Sequence, residues 1–187
     1  MPDWQKFSDQ ELIALAQKGE REAFEEIYRR YGEAIYRYLY AQVSHEQDAE
    51  DMTADVFLSL WRTLGQYREN ERVPFYVYLY RIARNRLVDY YRRQRTRAGD
   101  TDSPEVGEQN AAPRAAPLVI AGMEVGDLHR YLLKLPPDYR TVLVLRFLND
   151  LSAKETAQVM GKSYAAVRVL QPRALAALRA LMERGER

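Results

Sequence analysis

Reactive side chains are unevenly supplied in this sequence. There is no cysteine, which removes disulfides, zinc–thiolate sites and cysteine nucleophiles together. Histidine occurs twice, as His45 and His129, each expected on a helix surface, so imidazole-based metal or acid–base chemistry has little to draw on. Carboxylates do cluster: Asp48, Asp51 and Asp55 recur three and four residues apart, which sets them on one face of a helix. Paired carboxylates can serve metal or glycosidic chemistry, but no histidine or pocket-forming loop accompanies these, and near a helix N-terminus they also suit the macrodipole. Arginine is in surplus. Between Arg72 and Arg97 stand eight arginines (72, 81, 84, 86, 92, 93, 95 and 97) against the single acid Asp89, a local balance of +7. Tyr76, Tyr80 and Tyr91 are interleaved with them. Cations for phosphates and rings on which bases stack are the chemistry of single-stranded or opening nucleic acid.

Such a face needs a scaffold, and the apolar spacing is helical throughout, with no segment alternating strictly enough to be a strand. The expected fold is all-α: two small helical domains, residues 1–97 and 124–187, joined by a flexible linker over 98–123. In the first block, Ser8 opens an S-D-Q-E capping box with Glu11, ahead of Leu12, Ile13, Leu15 and Ala16, and Gly19 ends that helix. A second helix, about Arg21 to Val43, carries Phe24, Ile27, Tyr31, Ile35, Tyr38 and Leu39 at spacings of three and four. The third, about Glu46 to Leu64, turns Met52, Val56, Leu60 and Leu64 inward and sets Phe57 and Trp61 one turn apart beside the acids. An acidic and aromatic surface suits a basic partner protein, since aromatic side chains dominate interface energetics. The fourth helix, YVYLYRIARNRLVDYYRR, has the apolar stripe Phe75, Leu79, Ile82, Ala83, Leu87 and Tyr90, with Arg81, Arg84, Asn85, Arg92 and Arg95 opposite. A basic amphipathic helix can also lie on a membrane, but three other apolar helices need covering, which assigns the stripe to a core.

The linker is rich in Gly, Pro, Ala and acids, and Asp100 to Asp127 holds six acids against Arg114, a balance of −5. It is expected to be able to fold back on the basic helix. Beyond it, Leu128, Leu132, Leu133 and Leu135 make a short helix stopped by Pro136, and Pro137 starts another that carries Val142, Leu143, Leu145 and Phe147. Ser152 and Glu155 then form a second capping box, Ala157 and Met160 face inward, Gly161 supplies a left-handed stop, and Ser163 caps a helix with Val167 and Leu170 inside. Two short helices about a glycine turn read as a helix-turn-helix, although a plain helical hairpin has the same pattern. A recognition helix would present Lys162, Ser163, Tyr164, Ala165 and Arg168 to the major groove. No run approaches the ~18 apolar residues of a spanning helix, and the polar start lacks the core of a signal peptide, so no membrane insertion and a cytoplasmic location are expected.

Taken in order, REAFEEIYRRYG, DAEDMTADVFLSLW, FYVYLYRIARNRLVDYYRR, LPPDYRTVLVLRF and LSAKETAQVMGKSYAAVR resemble the bacterial RNA polymerase sigma factors of the extracytoplasmic-function (ECF) group of the sigma-70 family. The resemblance implies a region 2 domain and a region 4 domain, no catalysis by the chain itself and no cofactor. It implies core RNA polymerase (its beta-prime clamp helices and beta flap), promoter DNA and an anti-sigma factor as partners. It places Asp48, Glu50, Asp51, Asp55, Phe57 and Trp61 against polymerase. Tyr67, Arg68, Asn70, Arg72, Tyr76, Tyr80, Arg81, Arg84, Asn85 and Arg92 fall at the minus 10 element, where a flipped base would be held. Lys162, Ser163, Tyr164, Ala165, Arg168 and Arg173 fall at the minus 35 element. The family often has Gln at the position of Ala54 and Trp at that of Tyr78. Pro172 is expected to kink the recognition helix and weaken minus 35 binding. A free-standing helix-turn-helix regulator is the alternative, which accounts for the second block only.

Overall fold

A computed structural model describes residues 3–68, 73–98 and 125–185. Every regular element among them is helical, and no strand is present there. Of the linker expected over 98–123, Ala98 is the last residue of the helix Phe75–Ala98 and the rest lies outside the described residues, as do Asn70 and Arg72 of the minus 10 loop.

The first block comprises α1 (Asp9–Gln17), α2 (Arg21–Tyr40), α3 (Glu46–Thr63) and α4 (Phe75–Ala98). Both halves of the Ser8 capping box form: the Glu11 amide donates to Ser8 Oγ at 3.3 Å, and the Ser8 amide donates to Glu11 Oε2 at 2.7 Å. Gly19 takes φ +96°, the turn that lets α1 fold back on α2. The core of this block is Leu12, Ile27, Ile35, Tyr38, Leu39, Val56, Leu60, Leu79 and Ala83, each essentially inaccessible. Arg30 ties the N-terminal turn to α2, donating to Asp9 and to the carbonyls of Trp4, Gln5 and Phe7. Beside it, Glu26 is buried under bonds from Arg29 and Arg30.

The second block comprises α5 (Val125–Leu133), α6 (Pro137–Leu143), α7 (Ala153–Met160) and α8 (Tyr164–Gly185). Val144–Leu148 extends α6 as a π turn, closed by the Asn149 amide on the Val144 carbonyl at 3.0 Å. The expected helix carrying Leu145 and Phe147 is therefore regular only to Leu143. The wider turn takes up one extra residue and re-aims the chain as it enters α7. Gly161, at φ +66°, separates α7 from α8, and Ser163 Oγ accepts from the Ala166 amide at 3.1 Å. The two helices form the expected helix-turn-helix. α8 continues through Pro172 without a break, so the proline does not end the helix as an interior proline often does.

The two blocks are packed on each other, an arrangement the sequence patterns do not disclose. Arg140, only 7% exposed, carries the centre of the seam: Nε donates to Leu132 O at 2.9 Å, and Nη2 to Leu133 O at 2.9 Å and Leu135 O at 3.0 Å. Its Nη1 crosses to the first block, donating to Gln42 O at 2.8 Å and to the Tyr91 hydroxyl at 3.1 Å. None of these partners is a carboxylate; five oxygens solvate the guanidinium in place of water. Gln42 Nε2 reaches Thr141 Oγ1 at 3.2 Å, and Asn149 Nδ2 donates to Ala34 O at 3.0 Å and the Tyr80 hydroxyl at 2.7 Å. His129 is thus not a surface histidine: Nε2 lies 2.9 Å from Tyr40 O and 3.0 Å from Val43 O, and its ring stacks on Tyr40.

Candidate nucleic-acid interface

The acidic face is borne by α3, whose inner stripe Met52, Val56, Leu60 fixes its roll against α2 and α4. Glu50, Asp51 and Asp55 are exposed, and Asp48 accepts from the Tyr90 hydroxyl at 2.7 Å, so one acid of the set braces α4. Trp61 is 40% exposed, with its ring edge-on to Phe24 at 4.8 Å. Phe57 corrects the sequence expectation. It is 3% exposed, because position 57 shares the inward arc with Thr53, Val56 and Leu60, and it packs at 4.6 Å against Tyr28. Tyr28, 48% exposed on α2, is the aromatic that faces outward there. Its neighbours in sequence gave no sign of this, since aromatics at helical spacing read equally as core.

The basic face lies on α4, with Arg81, Asn85 and Arg92 exposed and Arg84 half-buried. Arg92 is 3.8 Å from Asp89, the lone acid of the segment. Three expected contributors are engaged by the second block. The Tyr76 hydroxyl donates to the Glu155 carboxylate, and Arg81 Nε donates to the Gln158 carbonyl at 3.0 Å. Tyr80 is 3% exposed, edge-on to Tyr38, with its hydroxyl on Asn149; it is a packing residue at the seam and offers no stacking face, which corrects the expectation for it. Burial pushes its phenol up to about 12, outweighing the bond donated by Asn149 and the nearby Arg37 charge, which both act to lower it. Glu155 is held below the ordinary carboxylate range: burial pushes it up, but bonds from Tyr76 and Ser152 and the nearby Arg146 charge outweigh that.

Ahead of α4, Tyr67 packs against Phe75 and Tyr78, and Arg68 folds back on the carbonyls of Gly65 and Tyr67. With Asp9, Ile13, Gln17 and Tyr76 they border a cleft of about 590 Å³ between α1 and the start of α4. Gln17 Nε2 anchors its wall, donating to Leu64 O at 2.9 Å and Tyr67 O at 3.0 Å.

At the start of α8, Tyr164 is 53% exposed and Arg168 lies over its ring at 5.8 Å; Ser163 and Ala165 are exposed, and Arg173 is half-buried on the third turn. Lys162 is paired with Asp138 at 2.9 Å, which ties the turn to α6. Leu175 is 6% exposed and belongs to the core. On the far side of this block Leu128, Leu132, Phe147, Leu148, Leu175 and Leu178 line an apolar hollow, with Phe147 39% exposed at its lip.

By fold and surface this is a two-domain helical protein carrying a helix-turn-helix. Residues 27–97 match the family description "Sigma-70 region 2", and residues 126–178 match "Sigma-70, region 4". The chain is 34% identical over 172 residues to the ECF RNA polymerase sigma factor BldN of Streptomyces coelicolor, covering 92% of this chain and 65% of that protein. It is 33% identical over 174 residues to the ECF RNA polymerase sigma factor SigD of Mycobacterium tuberculosis, covering 90% of this chain and 81% of that one. Among solved structures, CnrH in complex with the cytosolic domain of CnrY aligns with TM-score 0.70 at 28% identity, covering 94% of this chain and 97% of that chain. CnrH is a sigma factor of Cupriavidus metallidurans. The sigma factor RpoE of Bartonella quintana, solved with the anti-sigma factor NepR, shares the fold at TM-score 0.69 and 18% identity, covering 86% of this chain and 96% of that chain. The chain belongs to the ECF RNA polymerase sigma factors, a family of initiation factors that are not enzymes. Among the described residues no helix is long and apolar enough to cross a membrane.

Proposed function

We propose that this chain binds core RNA polymerase and directs it to a promoter, with each surface taking one task. The exposed acids of α3, Glu50, Asp51 and Asp55, with Asp48, Trp61 and Tyr28 at their edge, meet the beta-prime clamp helices. Arg81, Arg84, Asn85 and Arg92 hold the opened minus 10 strand, with Tyr76 and the Tyr67–Arg68 cleft receiving an unstacked base. Unstacking costs on the order of a few kcal/mol, which contacts in such a cleft must offset. The start of α8, from Lys162 to Arg168 with Arg173 beyond, reads the minus 35 element in the major groove. The apolar hollow around Leu128 and Phe147 receives the beta flap. An anti-sigma factor is the regulatory partner, the cytoplasm is the location, and all bond-making belongs to polymerase.

The observation that carries this reading is the pairing of opposite faces in one rigid block: acids on α3, cations on α4, joined through the Asp48–Tyr90 bond. A lone helix-turn-helix regulator has no use for either face. Run-off transcription with core enzyme tests it. Promoter-dependent transcripts that require the chain are expected, whereas tight operator binding without any effect on core would transfer the protein to the regulator class.

A further inference from the structure

We propose that Ala165 and Val169 read thymine methyl groups in the major groove beside a guanine held by Arg168, so that the upstream element this chain selects sets guanine next to thymine. This rests on the assignment of the start of α8 to the minus 35 element. It goes beyond that assignment by naming the chemical group that is read and the side chains that read it.

At about 100° per residue, Ala165 and Val169 stand on the side of α8 opposite to Val167, Ala174 and Leu178, all of which are buried. Their methyl groups therefore point away from the core, and Val169 is 47% exposed. One exposed valine means little by itself, since scattered apolar side chains are common on protein surfaces. Here it continues a stripe. Ala165 is exposed one turn before it, and Tyr164, at 53%, is the most exposed large hydrophobic side chain among the described residues.

The cation on this face is held by a ring. Arg168 Cζ lies 5.8 Å from the centre of the Tyr164 ring, whereas the neighbouring Lys162 is engaged by Asp138 at 2.9 Å. A guanidinium fork takes O6 and N7 of guanine together, and small apolar groups take the C5-methyl of thymine. Contacts to phosphate alone would call for cations along the stripe, and Ala165 and Val169 offer a phosphate nothing. Their spacing also suits bases. Four residues advance about 6 Å along a helix, close to the ~6.8 Å of two base-pair steps in B-DNA. The pair therefore fits methyl groups about two base pairs apart.

Holoenzyme formed from core RNA polymerase and the full chain is used to enrich a randomised duplex pool, with core alone as the counter-selection. The enriched duplex is expected to carry guanine beside thymine in its upstream element. It is then resynthesised with single thymines replaced by deoxyuridine, which removes the methyl group and nothing else. In fluorescence titrations the wild-type holoenzyme is expected to lose about fourfold in affinity at one or two of these positions, the effect of one buried methyl group. Val169→Ala is expected to bind the thymine duplex several-fold more weakly and to lose nothing further with uracil at the position Val169 reads. Val169→Ile, which keeps the branched methyl, should keep the discrimination. Replacing the adjoining guanine by 7-deazaguanine should weaken the wild type and leave Arg168→Ala unaffected. An exposed site makes these substitutions compatible with the fold, which the helical circular dichroism spectrum checks. An enriched duplex without upstream thymine, wild type that tolerates uracil at every position, or equal losses for wild type and Val169→Ala throughout would each overturn the proposal. Val169→Ala that loses affinity for core but keeps the discrimination would assign the stripe to a protein partner, with the same consequence. Failure of the sigma reading shows up separately, as absence of holoenzyme on gel filtration, and removes this inference with it.

Discussion

Replacing Arg140 by Met keeps an unbranched stem of similar reach and removes all five hydrogen bonds that the guanidinium makes. Taken singly, bonds to a charged group contribute about 1.5–3 kcal/mol each, but their sum overstates the loss. The variant also escapes the cost of burying a cation, several kcal/mol. Against that, the carbonyls of Leu132, Leu133 and Leu135 at the end of α5, and that of Gln42, lose a donor at a site where Arg140 is 7% exposed. The net expectation is a loss of about 4 kcal/mol, within the range for breaking a buried polar network. For a chain of this length that is a fall of roughly 8–16 °C in Tm. Urea unfolding followed by far-UV circular dichroism, on wild type and Arg140→Met, measures it. Because Gln42 and Tyr91 belong to the first block, the variant should also unfold in two separated transitions. Arg140→Lys should recover only part of the loss, since one ammonium cannot reproduce a planar fork. A loss under about 1 kcal/mol with a single transition would mean that water already reaches these carbonyls, and the seam would not be a buried one.

Phe57 and Trp61, one turn apart, should separate: Phe57→Ala is expected to cost about 3–4 kcal/mol of stability by urea unfolding, while Trp61→Ala, which loses its edge-on contact with Phe24, costs about 1–2 kcal/mol and weakens core binding roughly tenfold by surface plasmon resonance. Pro172→Ala restores a backbone N–H to the middle of α8 and should stabilise the chain by roughly 1–3 kcal/mol and strengthen binding to minus 35 duplex; unchanged affinity in a fluorescence titration would show that Pro172 does not limit recognition. Burial pushes the Glu26 carboxyl up, but its bonds and charges from Arg30 and Arg29 prevail and hold it below the ordinary range, as Glu155 is also held. A depressed folded pKa stabilises above the unfolded carboxylate value, about 4.3, and that stability is lost as pH falls through the folded value. Urea midpoints should therefore be flat from about pH 7 to 5 and fall below about pH 4, with Glu26→Gln flattening the acid limb; a midpoint constant to pH 3 would contradict the assignment.

Much of the fold was legible because local signals and packing agree. Ser8 with Glu11, and Ser152 with Glu155, close both capping boxes, and Gly19 and Gly161 take the left-handed turns their type allows. The acidic and basic faces were legible as charge at helical spacing. Phe57 and Tyr80 were not, since an aromatic beside a polar face has the same spacing whether it points in or out; only the roll of α3 against Tyr28 and of α4 against Tyr38 decides. Arg140, in PPDYRTVL, reads as a solvated charge on α6, and Gln42, His129 and Asn149 as loop or helix-surface polar residues. Their role comes from residues about 50 to 115 positions away, between two blocks whose separate periodicities carry no record of each other.

The central claim is that α3 offers a polymerase-binding face. Gel filtration of the chain with core RNA polymerase, for wild type and for Asp51→Arg with Asp55→Arg, tests it most directly. Both acids are exposed, so the double variant should keep its helical spectrum and melting temperature. The account predicts that the wild type co-elutes with core and that the variant elutes alone. Co-elution of both to the same extent, or of neither with the fold intact, would contradict it.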